Sequence, residues 1–481
     1  PGGRVGADGI VREGSSSLDE AAITGESLPV TKGIGDRVFS GTLNTEGFLD
    51  VEVTADASHS VVARIADLVR AAQGRRAPIE RAVQRFARVY TPVVTLLALL
   101  VVVVPPLLGL GTQLEWFLRG ITLLVVACPC ALVIATPVTV VSALTSAARH
   151  GVLIKGGEHL EALGAIRAVA MDKTGTLTTG HLEVVAFRTV PATAEPMLLQ
   201  WLASVEARSE HPIGKAIARH AADRGVAPKD EIKDFQARPG HGVTAQVGGT
   251  RLVIGTESFV GMSADLVGPL DPGTTWVFAH APDAAVSGTI GLQDAVRPHA
   301  RAVVSRLHEL GLSPLVMLTG DGSDIARSVG RAVGIDTIES RLLPEDKVGI
   351  VQALRAKYGA VAMIGDGVNE APALAVASVG IAMGAAGSPA AIETADVALM
   401  ADDLSRLPYL IELARRAHRT IRFNIGLALG LKLILVVGTL LGMVNLAFAV
   451  IVGDLGGTLV VTLNAMRLAR RSAGVAGVGG R

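Results

Sequence analysis

Two long stretches of this 481-residue chain carry no charged side chain, and they constrain its fold more than any other feature. They cover residues 90–114 and 120–148. A bilayer core needs about 20 apolar residues of helix, and these runs are too long for the buried helices of a soluble core. A third stretch, residues 423–466, contains only Lys432 and Asp454 as charges and divides into two helices at a turn near 442–445. The pattern predicts four spanning helices in two hairpins. Basic residues set their orientation. Arg81, Arg85 and Arg88 precede the first span, and Arg149 and Lys155 follow the second. Arg415, Arg416, Arg419 and Arg422 precede the third, and Arg467, Arg470 and Arg471 follow the fourth. All fall on one side, which the positive-inside rule makes the cytoplasm. Residues 1–90 and the insert between the hairpins, about 150–418, are then cytoplasmic.

Composition narrows the class further. Hydrophobic residues make up 49% and charged residues 18%, which excludes long disorder. Lysine plus arginine and aspartate plus glutamate balance at 44 each, without the basic excess of a nucleic-acid binder. The two cysteines, Cys128 and Cys130, exclude a disulfide framework and read as ligands rather than a staple.

They flank Pro129 inside the second span. Residues two apart on an ideal helix point about 200° from each other, so two thiols cannot easily share one ion. Proline removes a backbone donor and clashes with the preceding turn. The resulting break lets both sulfurs face one cavity, and thiolates suit Zn²⁺, Cd²⁺ or Cu⁺. Charges at membrane depth are costly and usually functional. Lys432 lies ten residues before Gly442 and Asp454 twelve after it, so both fall near mid-membrane in an antiparallel hairpin. They can pair with each other. Asp454 can offer oxygen to a divalent ion, with Lys432 as counter-charge when the site empties.

Within the insert, three short apolar runs read as buried parallel strands: 168–171, 315–318 and 361–364. Each stops at polar or glycine-containing residues: Asp172-Lys173-Thr174-Gly175-Thr176, Thr319-Gly320-Asp321-Gly322 and Gly365-Asp366-Gly367. Helical patterns such as 325–333 follow, as in a doubly wound α/β sheet, whose site lies at the carboxyl ends of its strands. Asp172, Thr319 and Asp366 would then converge. Carboxylates suit Mg²⁺, and one can be a nucleophile that becomes an aspartyl-phosphate. Lys347, at a helix start after Pro344-Glu345-Asp346, can neutralise charge on a transferring phosphoryl group. Single aspartates at strand ends are often turn formers; three such turns with one lysine are a stronger pattern.

Asp172-Lys173-Thr174-Gly175-Thr176-Leu177-Thr178 resembles the phosphorylation motif of P-type ATPases, whose catalytic domain is haloacid dehalogenase-like. Thr24-Gly25-Glu26-Ser27, Thr319-Gly320-Asp321 and Gly365-Asp366-Gly367-Val368-Asn369-Glu370-Ala371-Pro372 extend the resemblance in the family's order over essentially the whole chain. It implies that Asp172 attacks the γ-phosphate of ATP. It also implies Mg²⁺ held by Asp172, the Thr174 carbonyl and Asp366, with Thr319 and Lys347 on phosphoryl oxygens. Glu26 would position the hydrolytic water. Glu370 stands where the family usually has Asp. Glu206, Ser209-Glu210-His211-Pro212 and Gly240-His241-Gly242 resemble the nucleotide-binding domain of the heavy-metal branch. That branch commonly has Gly-Asn where this chain has Gly255-Thr256. Asn424, Lys432 and Asp454-Leu455-Gly456 resemble its zinc/cadmium/lead exporters rather than the copper or cobalt types. The family's actuator begins earlier and further helices precede it, so an incomplete pump is expected.

The expected layout is an actuator fragment (1–55), a linker helix (56–90) and a first membrane hairpin (91–148). A phosphorylation domain (149–182 and 290–418) follows, interrupted by a nucleotide-binding domain (183–289). A second hairpin (419–468) and a tail (469–481) complete it. The expected function is ATP-driven export of Zn²⁺, Cd²⁺ or Pb²⁺ by a multi-pass, monomeric plasma-membrane protein. The alternatives are a copper or cobalt pump, a non-transporting metal sensor, or a membrane-tethered phosphatase.

Overall fold

The computed structural model describes residues 2–19, 30–45, 47–55, 78–207, 209, 211–228, 231–238, 241–262, 268–271, 273–366, 370–384 and 393–470. The chain forms two compact units. One holds residues 1–169, 309–312 and 350–481; the other holds 170–308 and 313–349.

The amino-terminal segment of the first unit is β-rich. Strands β1 (Asp8–Gly14), β2 (Ser16–Asp19), β3 (Val30–Lys32), β4 (Arg37–Val38), β5 (Leu43–Asn44) and β6 (Leu49–Ala55) form two small sheets, ordered β4-β1-β6 and β3-β2-β5. Val11, Leu18 and Val38 form their core, with Val5, Leu49 and Val51 packed against it.

Three helices follow: α1 (Pro78–Leu107), α2 (Gln113–Ala127) and α3 (Cys130–Arg149). They do not coincide with the uncharged runs. Helix α1 starts twelve residues before Tyr90, because a helix does not end where its charges begin. The uncharged run 120–148 is two helices, interrupted at Cys128 and Pro129, where Cys128 takes φ −57° and ψ 123°. After α3 come β7 (Val152–Ile154) and α4 (Gly157–Ala165).

The second unit has two sheets. Strand β8 (Ala168–Asp172) enters it and ends at the candidate nucleophile. The larger, antiparallel sheet uses β9 (Thr178–Val190), β10 (Ile232–Arg238), β11 (Gly242–Val247), β12 (Thr250–Gly255), β13 (Thr275–Ala281) and β14 (Val286–Val296), ordered β10-β11-β12-β13-β14-β9. Its outer pair runs past the expected insert edges at 183 and 289, since β9 and β14 stay paired from Val190↔Ser287 to Thr178↔Val296. Helices α5 (Glu195–Glu206) and α6 (Pro212–Asp223) cover one face. There Leu198, Leu202, Val205 and Ile217 meet Leu252, Ile254, Ala279, Ile290 and Leu292. Helix α7 (Ala300–Glu309) then leads to β15 (Leu315–Leu318), α8 (Ser323–Val333), β16 (Thr337–Glu339) and α9 (Pro344–Tyr358). The strands β16, β15 and β8 lie side by side in that order, and β15 and β16 are parallel.

The chain returns to the first unit with β17 (Val361–Gly365), α10 (Ala371–Val376), β18 (Val379–Ala382) and β19 (Val397–Leu399). These strands are parallel, and β7 closes the β17-β18-β19-β7 order antiparallel. Helix α11 (Arg406–Leu440) turns at Gly442, φ +76°, into a π-wound segment Ala449–Gly456 and then α12 (Gly457–Arg470). Four helical spans among the described residues are long and apolar enough to cross a membrane: Arg81–Leu107, Gln113–Arg149, Arg406–Leu440 and Leu446–Ala469. Leu96, Leu99, Leu433 and Ile434 point outward, as lipid-facing side chains would.

Ile290 lies fully buried on β14 between Val277 and Phe187. Ile290→Ala removes its methyl groups from a closed core and should destabilise the second unit by about 2–5 kcal/mol. Thermal unfolding measures this, and an unchanged midpoint would contradict the packing described.

Candidate functional site

Asp172 ends a strand whose five residues are all buried, so its carboxylate is held at the strand tip with little freedom. It is 4% exposed, and Lys347 at the start of α9 donates to its Oδ1 at 2.6 Å. A charge removed from water needs such a partner. The next residue, Lys173, is compensated separately. Its ammonium lies 2.5 Å from Asp321 and 3.5 Å from Asp294. The Thr178 hydroxyl lies 2.6 Å from the same Asp294 carboxylate and 2.9 Å from the Lys173 carbonyl.

Between them the chain makes a tight loop through Gly175, at φ +71°. Arg297 fixes its shape. Its Nε donates to the Thr176 carbonyl at 2.8 Å, its Nη2 to the Gly175 carbonyl at 2.9 Å, and its backbone amide to the Leu177 carbonyl at 3.0 Å. Three successive acceptors are pinned by one residue. Thr319, 2% exposed at the end of β15, accepts the Asp321 amide at 3.1 Å through its hydroxyl. Gly320 follows Thr319, beneath the Leu342 carbonyl. Asp172, Lys173, Thr174, Thr319, Gly320, Asp321 and Lys347 therefore all belong to the second unit. Asp294 and Arg297 were missed in the sequence reading. Their signal is faint: two charges in Asp294-Ala295-Val296-Arg297-Pro298, just after the buried strand core.

Asp366 and Glu370 belong to the first unit, at the tip of β17. Glu370 is 5% exposed and folds back so that a Cβ on Gly365 would meet its side chain at 3.0 Å. Glu26, Gly240 and residues 367–369 lie outside the described residues.

In the large sheet of the second unit, Glu206 ends α5 and is 5% exposed. Burial raises its pKa above the usual carboxylate range, while a hydrogen bond from Ser209 pulls the other way. Gly214 makes room for the pair, because a Cβ there would lie 2.3 Å from Glu206 Oε2. His211 caps α6, its Nδ1 accepting the Ile213 amide at 3.3 Å, and its ring is exposed. Gly242 and Gly255 face each other across β11 and β12. A Cβ on either would strike the other's Cα and the Phe259 ring within 2.7–2.9 Å. The protein's own packing thus already demands glycine at both positions.

The membrane helices hold the second cluster. Ligand atoms of Cys128, Cys130 and Asp454 lie within 4.8 Å of one another, the sole such group of three among the described residues. The break at Pro129 gathers the sulfurs as expected. It also brings them into a disulfide, contrary to the reading of two free ligands. Bonding contact is the consequence of aiming both at one point; only the reduced pair offers thiolates. Asp454 sits in the π-wound segment, where Gly453 allows Leu435 to approach. Its Oδ1 is buried without a hydrogen-bond partner. Lys432, 5% exposed on α11, forms no ion pair with Asp454, contrary to the expected pairing; it donates to the Val126 carbonyl at 3.0 Å. Nearer the basic end, Asn424 donates to the Val461 carbonyl at 3.1 Å and accepts from Asn464 at 2.8 Å. Asn464 had no distinguishing signal in its uncharged surroundings.

Residues 166–378 match the haloacid dehalogenase-like hydrolase family, and residues 1–70 match the P-type ATPase actuator domain. A zinc-transporting ATPase of Bacillus subtilis is 39% identical over 97% of this chain and 74% of its own length. The chain belongs to the P-type ATPase family. Another relative, a zinc/cadmium/lead-transporting P-type ATPase of Escherichia coli, is 44% identical over 98% of the chain and 64% of its own. A probable cadmium-transporting ATPase of Staphylococcus aureus is 43% identical over 98% of the chain and 60% of its own. The chain thus spans about 60–66% of the length of several of these P-type ATPases. A crystal structure of a zinc-transporting PIB-type ATPase in the E2.Pi state superposes with TM-score 0.72 at 43% identity, covering 98% of this chain and 77% of that one. As in such ATPases, the fold combines a haloacid dehalogenase-like domain, an actuator segment and membrane helices.

Two consequences follow from this geometry. A buried ionised Glu206 weakens the fold once pH rises above its raised pKa, and that cost vanishes as pH falls below the unfolded value. Glu206→Gln should therefore raise the melting temperature at pH 8 and leave it unchanged at pH 4; equal shifts at both would contradict the assignment. Arg297→Ala leaves the Gly175 and Thr176 carbonyls without their partner and should speed hydrogen exchange of the 174–177 amides by roughly tenfold or more. Unchanged exchange would remove Arg297 from the loop's support.

Proposed function

We propose that this chain is the catalytic and ion-binding part of an ATP-driven exporter of soft divalent metal ions: Zn²⁺, Cd²⁺ or Pb²⁺. The observation that carries the reading is the meeting of Cys128, Cys130 and Asp454 at a broken membrane helix. Two thiolates and one carboxylate carry charge −3, which favours a divalent ion over Cu⁺. Relatives named for cadmium, zinc and lead transport support the same substrates.

Energy would come from phosphoryl transfer. The Asp172 carboxylate attacks the γ-phosphorus of ATP; a new O–P bond forms, and the bond to ADP breaks. Lys347, 2.6 Å from the nucleophile, would follow the charge onto the phosphoryl oxygens. The Thr319 hydroxyl is a second donor for those oxygens. Arg297 keeps the Gly175–Leu177 carbonyls in one geometry, so the nucleophile's loop need not reorganise. Glu206, His211, Gly240 and Gly242 would hold the nucleotide, and Glu26 the water that later cleaves the acyl phosphate. The resemblance to P-type ATPases would give Mg²⁺ the hard oxygen donors Asp172, the Thr174 carbonyl and Asp366, where it would offset phosphate charge. The positive-inside pattern supports a cytoplasmic side for these domains, and the exporter reading puts the spans in the plasma membrane.

The full-length protein with labelled ATP should form an acid-stable phosphoprotein when Zn²⁺ or Cd²⁺ is added, and Asp172→Asn should abolish it. Labelling without metal would favour a tethered phosphatase, labelling with Cu⁺ alone a copper pump, and no labelling a sensor. Asp454→Ala should raise the half-saturating metal concentration at least about tenfold; an unchanged value would exclude Asp454 from the ion site.

A further inference from the structure

Charge complementarity along the sequence lets Lys432 pair with Asp454. The structure gives it a different partner, and that partner exists because of Pro129. In an unbroken helix the Val126 carbonyl would accept the Cys130 amide four residues on. Here α2 ends at Ala127 and a new helix starts at Cys130. The Cys128 amide turns back to Val125 at 3.3 Å. Val126 is 1% exposed, so its freed carbonyl has no water to turn to. An orphaned carbonyl in a membrane interior is strongly disfavoured. Lys432 reaches it at 3.0 Å from α11, a helix 306 residues further along the chain.

We propose that Lys432 is a positioning residue that caps the broken helix through the Val126 carbonyl, and that by parking there it leaves Asp454 to the metal ion. The inference rests on the exporter reading for its purpose, and on geometry for its existence. Three features agree. The ammonium's hydrogen bond goes to the Val126 carbonyl on α2 and not to the carboxylate. Asp454 Oδ1 is buried without a hydrogen-bond partner, as a ligand awaiting a cation would be. Val126 and Leu435 belong to one packed cluster with Ala449, so the clamp joins the three segments that carry the sulfurs, the lysine and Asp454. A counter-charge needs only to be near the carboxylate; a cap needs this carbonyl.

The two roles separate in a double-mutant cycle. Replacing Ala127 by its α-hydroxy analogue converts the Val126 carbonyl from amide to ester, a weaker acceptor, and leaves every charge in place. Binding is read with Cd²⁺ on the reduced full-length protein, through the thiolate-to-cadmium absorption band. Lys432→Met should weaken binding by about tenfold or more, and the ester alone by several-fold. The ester should then add no more than the control ester does in the Lys432→Met background. The same ester at Val125, which weakens the Leu124 carbonyl, controls for loss of a helix amide and should act equally in both backgrounds. Nucleotide binding verifies that each variant is folded. Additive effects, or an ester at 127 without effect, would overturn the proposal, as would absence of the band in the unsubstituted protein. A normal band and coupling without any metal-dependent phosphoprotein would uphold the cap and remove the exporter reading.

Discussion

A helix crossing lipid has to satisfy its own backbone, and Pro129 prevents it. The arrangement of the sulfurs and of Lys432 follows from that interruption. It ends α2 at Ala127 and restarts the chain at Cys130. It turns two sulfurs that a continuous helix would send to opposite sides toward one point. It frees a carbonyl that Lys432 then occupies. A second irregularity faces the first, since Asp454 is carried on a π-wound segment rather than a regular helix. Such windings recur at functional sites because they expose groups that a regular helix conceals.

The catalytic unit solves a related problem by different means. Its acids and bases are withdrawn from water and matched in separate sets: Asp172 with Lys347, and Lys173 with Asp321 and Asp294. Removing either member of such a pair strands a buried charge, which is far costlier than the pair itself is stabilising. Arg297 adds rigidity by donating to three successive main-chain carbonyls. Motion at the nucleophile therefore has to come from rearranged partners rather than from a loose loop.

What the sequence disclosed depended on whether the physics was local. Uncharged length revealed the spans, because lipid forbids charge over a fixed distance. The strand-then-aspartate pattern at 168–172 is likewise local, and so is the break at Pro129. Lys432 and Val126 lie 306 residues apart, and a carbonyl has no sequence signature, so charge complementarity pointed to Asp454 instead. Helix α1 runs unbroken from Pro78 through Arg81 into the apolar run, so charge marks where lipid begins and not where the helix does. The outer strands of the inserted sheet extend beyond 183 and 289 because β9 and β14 remain paired through polar residues down to Thr178 and Val296. The close approach of Gly242 and Gly255 to each other and to Phe259 pairs residues from facing strands, which no local pattern announces. Glu26 and Gly240 rest on motif resemblance.

The central claim is that one break in a membrane helix builds a mixed sulfur–oxygen ion site. X-ray absorption at the zinc edge tests it most directly, on reduced full-length protein loaded with one equivalent of Zn²⁺. The account predicts two sulfur scatterers near 2.3 Å with the remaining shell made of oxygen, as expected for thiolate and carboxylate ligands. It also predicts that Asp454→Ala changes only the oxygen shell. A first shell of nitrogen and oxygen alone, unaffected by substituting either cysteine, would contradict it.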